Sequence, residues 1–429
     1  MAANARILQG DIDVTPATVI GRRLGAALAV TFATMLPACS ESSTAPAKVD
    51  SLEALPRALT VTEREGIASG NRFALSLLQR VSANSTGNVL LSPLSVWMAL
   101  GMTMNGAAGQ TDTEMRTTLG WGIRPREEIN TAFRDLGALL PTLDPSVTVK
   151  IGNGIWARTG LVVDSSFARD VRSYFGAEVR SAATPQAMFD AVNAWGNVQT
   201  NGLVPRVLTE PPPNDLMMLL ANAVLFDGSW RDAFDPKNTA NAPFQLESNA
   251  SVSVPMMSRE GSFRGLQGAT FTAVELPYGN SAYSMLIIVP SGGTLASFVS
   301  TLDSARLATI AGGLGAGGDR TKLYVPRFTI RGTIELSAAL KQLGMPRAFT
   351  DLAEFPRFFG TGAKLSFVQH GVTLEVNERG TRAAAVTVVG AVPTSLPPTF
   401  RVDRPFVFFI RERFAGTILF SGLVRDPRA

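Results

Sequence analysis

The segment EVNERGTRAAA, from Glu375 to Ala385, decides how this sequence is interpreted. The fifteen residues from Glu378 to Val392 have mostly small side chains and include no proline. A long exposed loop is normally polar and marked by proline or glycine, whereas Ala and Val dominate here. The composition therefore predicts a segment that can join a β-sheet as a strand.

The order of side chains in this segment also suits a strand. Successive side chains of a strand point to opposite faces of its sheet. If Thr381 faces inward, then Arg382, the only charged residue between Thr381 and Val392, faces solvent. The residues that share the inward face with Thr381 are small to medium and uncharged: Ala383, Ala385, Thr387, Val389 and Ala391. An ordinary edge strand and a disordered Ala/Val linker remain the alternatives.

Composition excludes several classes of chemistry. The chain has 429 residues, a formal net charge of +4, one cysteine and one histidine. A single cysteine rules out a disulfide framework, and one histidine with it is too few for a zinc site of Cys and His ligands. A Ser-His-Asp hydrolase would have to use His370, the only histidine. Because the chain has no long basic run, we expect no nucleic-acid partner, and we expect neither a cofactor nor a metal.

The N-terminus has the pattern of an export signal. Arg22 and Arg23 precede an apolar run of thirteen residues, 24–36. That run is shorter than the ~20 residues that a membrane span needs. Cys39 ends a Leu-Pro-Ala-Cys sequence that resembles the bacterial lipoprotein box, in which the cysteine is acylated. We therefore predict a signal peptide over 1–39 and an exported lipoprotein, anchored at the cell surface or in the periplasm, with plain secretion as the alternative.

The rest of the chain predicts a tether followed by one folded domain. Residues 40–62 are rich in Ser, Ala, Thr and Pro, which is typical of a flexible tether. In the domain, helix patterns come first and strand patterns later, which indicates an α+β fold. Apolar residues at helical spacing predict helices over 71–81, 95–104, 112–119 and 129–140. β-rich runs bounded by Gly and Pro predict strands over 147–156, 216–226, 270–277, 284–289, 322–329, 372–376, 407–411 and 418–424.

Several motifs follow one another along this domain in the order found in one known family. They are NVLLSPLSV at 88–96, NGAAGQT at 105–111, LANAVLFDGSW at 220–230, VPMM at 254–257, EVNERGTRAAA at 375–385, DRPFVFFI at 403–410 and TILFSGLV at 417–424. Together they resemble the serpin family of protease inhibitors, and the resemblance covers residues 63–427. It implies a single α+β domain with three β-sheets, eight or nine helices and an exposed reactive-centre loop over about 378–398.

The resemblance also implies a function. An inhibitory serpin is cleaved by its target serine protease, holds the protease as a covalent acyl-enzyme and inserts its loop into the central sheet. The loop resembles the antitrypsin type, which places the reactive bond at Thr394-Ser395, and the small Thr394 suits elastase-like or subtilisin-like proteases. We therefore expect an irreversible inhibitor that is a monomer and not an enzyme. A non-inhibitory binding or carrier protein on the same fold is the alternative.

The resemblance assigns roles to further residues. It identifies a hinge made of Glu378, Gly380, Thr381, Ala383, Ala384 and Ala385. It identifies a polar cluster beneath the central sheet, where strands must part, made of Ser92, Ser95, Asn222 and His370. It places Trp230 at the top of the sheet, where the loop enters. We expect Thr381 to be exposed with the loop before cleavage and to be the first side chain that enters the sheet.

Replacing Thr394 with arginine should redirect inhibition from elastase-like to trypsin-like proteases. A small uncharged side chain fits a shallow apolar pocket, whereas the acidic pocket of a trypsin-like enzyme needs a cation. Inhibition rates against one protease of each type measure the change, and Thr394→Ala is the control that keeps a small side chain. An unchanged set of targets would mean that the scissile bond lies elsewhere.

Overall fold

Ten α-helices and sixteen strands are formed by the residues that the computed structural model describes. The described residues are 50–315, 321–360, 362–381 and 398–429. They all belong to Ala45–Ala429, one of the two units into which the chain divides. The predicted site residues that lie outside the described residues are Cys39, Ala383, Ala384, Ala385, Thr394 and Ser395.

The first two helices follow directly from local sequence. Helix α1, Val61–Ala83, begins with a capping box in which the Thr60 hydroxyl accepts from the Glu63 amide at 3.1 Å and the Glu63 carboxylate accepts from the Thr60 amide at 2.7 Å. Helix α2, Pro93–Met104, is almost wholly buried, which explains why its sequence is apolar on every side. The other helices are α3 Gly109–Leu119, α4 Arg126–Leu139, α5 Ser165–Phe175, α6 Pro185–Gln199, α7 Leu295–Val299, α8 Ser304–Gly312, α9 Ser337–Gln342 and α10 Pro356–Phe359.

The strands form three sheets. They are β1 Val89–Leu91, β2 Val147–Arg158, β3 Glu178–Ala182, β4 Met218–Ser229, β5 Ala240–Gln245, β6 Ser251–Gly261, β7 Arg264–Gln267, β8 Phe271–Pro277, β9 Tyr283–Pro290, β10 Thr321–Pro326, β11 Phe328–Glu335, β12 Gln369–Asn377, β13 Gly380–Thr381, β14 Thr399–Arg401, β15 Phe406–Glu412 and β16 Ile418–Val424.

The central sheet has the strand order β11-β12-β13-β4-β2-β3. A second six-stranded sheet has the order β1-β16-β15-β9-β8-β7, and a four-stranded sheet has the order β14-β10-β6-β5. Helix α2 lies between the first two sheets and packs against β4 and β16. Strand β12 alternates between buried and half-buried residues, as expected of a strand with one face on the core. His370 therefore points to the core side of the central sheet.

The α+β fold with three sheets is confirmed. The described residues contain ten α-helices instead of the eight or nine predicted, because the total includes the short α7, α9 and α10 of four to six residues. The strand predicted over 322–329 is in fact two strands, β10 and β11. The chain leaves the four-stranded sheet after Pro326 and joins the central sheet at Phe328.

The four helices predicted from apolar spacing are present, and each begins earlier than predicted. The difference is largest for α1, which begins at Val61 and not at residue 71. Before residue 71, the buried residues of α1 are Glu63, Gly66, Ile67 and Ser69. All but Ile67 are polar or small, so apolar periodicity does not reach the true start of this helix.

The segment predicted as a flexible tether, 40–62, is packed on the domain in its described part. The Leu52 amide donates to the Asn280 carbonyl at 2.7 Å, and α1 already begins at Val61. Three leucines at helical spacing pack against the hydrophobic core: Leu52, Leu55 and Leu59. Residues 50–62 are therefore packed on the domain and differ from the predicted free tether. Burial of these leucines holds the segment there despite its polar composition.

Candidate functional site

The predicted hinge enters the central sheet in the uncleaved chain. Gly380 and Thr381 form β13, which pairs with β12 on one side and with β4 on the other. Thr381 lies opposite Val376 and Gly228, and only 2% of its surface is exposed. The structure therefore corrects the expectation that Thr381 stays exposed before cleavage, because its backbone already has partners on both sides.

Gly380 permits this close contact between the hinge and β4. Its φ is 149°, a value that residues with a side chain rarely adopt. A Cβ atom at this residue would lie 2.2 Å from the carbonyl oxygen of Gly228, well inside contact distance. Any other residue would push β13 away from β4.

Glu378 anchors the start of the hinge through a buried carboxylate. The Thr239 hydroxyl donates to Glu378 Oε1 at 2.6 Å, and the Arg327 guanidinium donates to the same oxygen. Burial alone would raise the pKa of Glu378, but the hydrogen bonds from Arg327 and Thr239 outweigh it and hold the pKa below its usual value. The carboxylate is therefore ionised at neutral pH and bonds the start of the hinge to Thr239 and Arg327.

Trp230 lies beside the hinge, as the sequence predicts. Its backbone amide donates to the Arg379 carbonyl at 2.8 Å, and its indole Nε1 donates to the Asn377 carbonyl at 2.9 Å. Both bonds hold backbone of the turn between β12 and β13. Trp230 therefore fixes the backbone between β12 and β13.

Tyr278 is a hinge contact that the sequence does not reveal. It lies in the turn between β8 and β9, and its hydroxyl is 2.7 Å from the Thr381 hydroxyl. Its ring stacks on Trp230 with centroids 4.4 Å apart and an interplanar angle of 16°. No motif identifies it, because the two residues are more than a hundred apart in sequence.

The polar cluster consists of two connected pairs below the central sheet. The Ser92 amide donates to His370 Nε2 at 2.9 Å, while the Ser95 hydroxyl donates to Asn222 Oδ1. The Ser92 hydroxyl donates to the Leu419 carbonyl at 2.9 Å and accepts from the Ser95 amide at 3.4 Å. The structure thus brings all four predicted residues together. His370 on β12 and Asn222 on β4 are each bonded to the start of α2.

Asn153 extends this cluster and is not among the predicted site residues. The side-chain amide of Asn222 donates to Asn153 Oδ1 at 2.7 Å, and the side-chain amide of Asn153 donates to the Phe175 carbonyl at 2.7 Å. The two asparagines lie directly opposite each other on β2 and β4. A polar asparagine inside the β-rich run 147–156 is the sequence signal that would have indicated it.

A cavity of about 370 Å³ lies next to the polar cluster. It is lined by the first half of β4, from Met218 to Asn222, by Gln369 and His370 of β12, and by Ser95 of α2. These are the same two strands that hold β13 between their other ends. A chain continuing beyond Thr381 between β4 and β12 would therefore be directed toward this cavity.

His370 is held neutral by its surroundings. Burial lowers its pKa to about 4, because a charged imidazolium loses its hydration inside the protein. A neutral imidazole can accept the hydrogen bond from the Ser92 amide, whereas an imidazolium cannot.

Within the described residues, no three His, Cys, Asp or Glu side chains are grouped so that they could hold a metal ion. No helix in that part of the chain is long and apolar enough to cross a bilayer.

The chain is similar to characterised proteins over most of its length. The family model described as serpin (serine protease inhibitor) matches residues 68–427. Neuroserpin of Homo sapiens is 31% identical and aligns with 85% of this chain and 94% of its own. Alpha-1-antitrypsin 1-2 of Mus musculus is 30% identical and aligns with 83% of this chain and 87% of its own. The structure of human thyroxine-binding globulin superposes with a TM-score of 0.79 at 29% identity, covering 86% of this chain and 100% of that chain.

The chain belongs to the serpin family. Serpins as a class are protease inhibitors and not enzymes. By its name, thyroxine-binding globulin binds a small molecule, so this fold also serves proteins of another kind.

Replacing His370 with asparagine should reduce the loss of stability at acid pH. The unfolded chain binds a proton near the ordinary pKa of 6.5 and the folded chain only near 4, so stability is lost as pH falls through this window. The loss attributable to His370 should approach about 2 to 3 kcal/mol at pH 4.5. Asparagine keeps an acceptor for the Ser92 amide but does not titrate.

Urea unfolding of both proteins at pH 7 and pH 4.5 measures this difference. Carboxylates titrate in the same range, but they contribute equally to both proteins and cancel in the comparison. Equal losses in the two proteins would contradict the role given to His370.

Proposed function

We propose that this protein is an irreversible, suicide-type inhibitor of serine proteases. The observation that carries the proposal is the docked hinge, with β13 placed between β4 and β12 ahead of any cleavage. The cavity along the same two strands gives a continuing strand a direction to follow. Two relatives named as a serpin and an antitrypsin support the inhibitory interpretation.

The chemistry begins at the Thr394-Ser395 bond. The serine hydroxyl of the target attacks the Thr394 carbonyl carbon, and its proton passes to the target's own general base. The general base then gives this proton to the Ser395 nitrogen as the Thr394-Ser395 amide bond breaks, which leaves an ester between Thr394 and the protease and a new amino terminus at Ser395. Water would hydrolyse this ester unless the protease is first displaced.

Displacement requires the freed segment to extend β13 as a strand from residue 382 onward. Insertion moves the attached protease with the loop and releases strain stored in the uncleaved fold. The polar cluster lies where the two strands must part. His370 of β12 and Asn222 of β4 are bonded to Ser92 and Ser95 at the start of α2, so this hydrogen-bond network has to be remade as the two strands separate.

The target class follows from the residue before the scissile bond. Thr394 is small and uncharged, so it suits the shallow apolar pocket of elastase-like or subtilisin-like proteases. Pro393 before the bond and Pro397-Pro398 after it restrict the backbone to extended conformations. The protein needs no cofactor for this reaction and acts as a monomer that forms a covalent complex with its target.

The second candidate is a binding or carrier protein on the same fold. The likeness to thyroxine-binding globulin, at a TM-score of 0.79, is the observation that favours it. Such a protein would be clipped by proteases without retaining them. The sequence of the loop argues against it, because the segment from Ala383 to Val392 contains no bulky aromatic, charged or proline residue that would hinder insertion.

Ala383→Arg should convert the inhibitor into a substrate, whereas Ala384→Arg should leave inhibition nearly intact. Thr381 faces the core side, so alternation directs residue 383 inward and residue 384 to solvent. An unpaired charge beneath the sheet costs several kcal/mol, which slows insertion and lets hydrolysis of the ester win. The measurement is the ratio of covalent adduct to cleaved chain on a denaturing gel with an elastase-like protease.

The two variants differ only in the face that receives the arginine, so each is the control for the other. Equal ratios for both variants would contradict the alternation. A wild-type chain that is clipped by every serine protease tested, without any adduct, would favour the carrier function.

We further propose that the mature protein is held at a membrane through acylated Cys39. The support is the apolar run before Cys39 and its lipoprotein-like context. Cys39→Ser should release the protein from the membrane fraction, because acyl chains contribute ~0.8 kcal/mol per buried methylene and a multi-chain anchor is stable. Fractionation of cells that express either form measures this. A wild-type protein that is already soluble and carries no lipid would show that plain secretion is correct.

A further inference from the structure

We infer that Tyr278 is a positioning residue for loop insertion, which holds Thr381 as the first residue of the incoming strand and so sets its register. This inference rests on the proposed function, because it concerns how insertion begins. The carrying observation is the 2.7 Å contact between the two hydroxyl groups beneath the top of the central sheet. Both side chains are almost fully buried.

Tyr278 is itself held rigidly. Its ring stacks on Trp230 and meets the edge of Phe226 with centroids 4.9 Å apart. Its amide donates to the Tyr283 carbonyl at 2.9 Å, which closes the turn between β8 and β9. Burial raises the pKa of the Tyr278 hydroxyl far above its usual value, so the group stays protonated and can donate or accept. The Tyr278 hydroxyl is therefore a rigidly placed polar group among aromatic side chains.

A polar group fixed beneath the sheet stabilises one register of the incoming strand over the neighbouring registers. A slip of one residue along a strand exchanges its two faces. Such a slip would bring the Arg382 side chain toward Tyr278 in place of the Thr381 hydroxyl. Thr381 satisfies the tyrosine hydroxyl, whereas a buried arginine would lack a partner for its charge. Gly380 adds to this selection, because only glycine fits against the Gly228 carbonyl.

The contact can be tested by removing one hydroxyl or both. Tyr278→Phe or Thr381→Val leaves the other buried hydroxyl without a partner, which disfavours the docked hinge by about tenfold. Removing both hydroxyls leaves two apolar side chains of similar shape, which is nearly neutral. The double variant should therefore dock its hinge almost as well as the wild type. This restoration is the signature of a direct pair.

Hydrogen exchange of the peptide that contains residues 378–381 measures docking without any protease. We expect exchange in this peptide to be about tenfold faster in each single variant and close to wild type in the double variant. Tyr283→Phe is the matched control, because Tyr283 is also a buried tyrosine near this turn but its hydroxyl donates to the Leu140 carbonyl. The control should leave exchange of the hinge peptide unchanged.

The ratio of covalent adduct to cleaved chain then measures insertion. Each single variant should give more cleaved chain, and the double variant should regain most of the adduct. Additive losses in the double variant, or a hinge whose exchange is unaffected by either single change, would overturn the pairing. Faster hinge exchange with an unchanged adduct ratio would overturn the role in insertion. If the wild type forms no adduct, the proposed function fails, while the exchange experiment still decides whether Tyr278 holds the hinge.

Discussion

The constraint on which the rest of the site depends is the approach of the Gly380 backbone to the Gly228 carbonyl. It lets β13 fit between β4 and β12, and this places the Thr381 side chain beneath the sheet. The Glu378 carboxylate and the Trp230 amide and indole then hold the chain just before that contact. A side chain at this point would push the hinge away from β4 and disturb these hydrogen bonds.

Much of the fold could be predicted from sequence, because long apolar patterns and ordered motifs report directly on buried elements. The strand 418–424 matches β16 at both ends, since it is a buried strand with a uniform apolar pattern. Short edge strands such as β3, β7 and β14 were not predicted, because three to five residues carry too little periodicity. The predicted starts of α1, α3 and α4 are late, because the first turns of these helices bury few apolar residues and so carry little apolar periodicity.

The candidate site was predicted in part for a similar reason. Ser92, Ser95, Asn222 and Trp230 lie in motifs, and His370 is the only histidine of the chain. The structure brings the four polar residues together and sets Trp230 at the hinge. Tyr278 and Arg327 act across the fold on residues far away in sequence, so no local pattern marks them. The burial of Thr381 depends on two neighbouring strands, which a pattern of alternating side chains cannot supply. The reactive bond lies outside the described residues and remains a prediction.

Both ends of the loop are fixed in β-sheets, and this limits how far an uncut chain can insert into the central sheet. Strand β13 ends at Thr381 and β14 begins at Thr399, in different sheets, with the seventeen residues 382–398 between them. A strand advances about 3.3 Å per residue, so each residue that enters the central sheet needs another to return toward β14. An uncut loop can therefore supply at most about half of its length to the sheet. Breaking one peptide bond removes the return path and makes the whole segment before the break available.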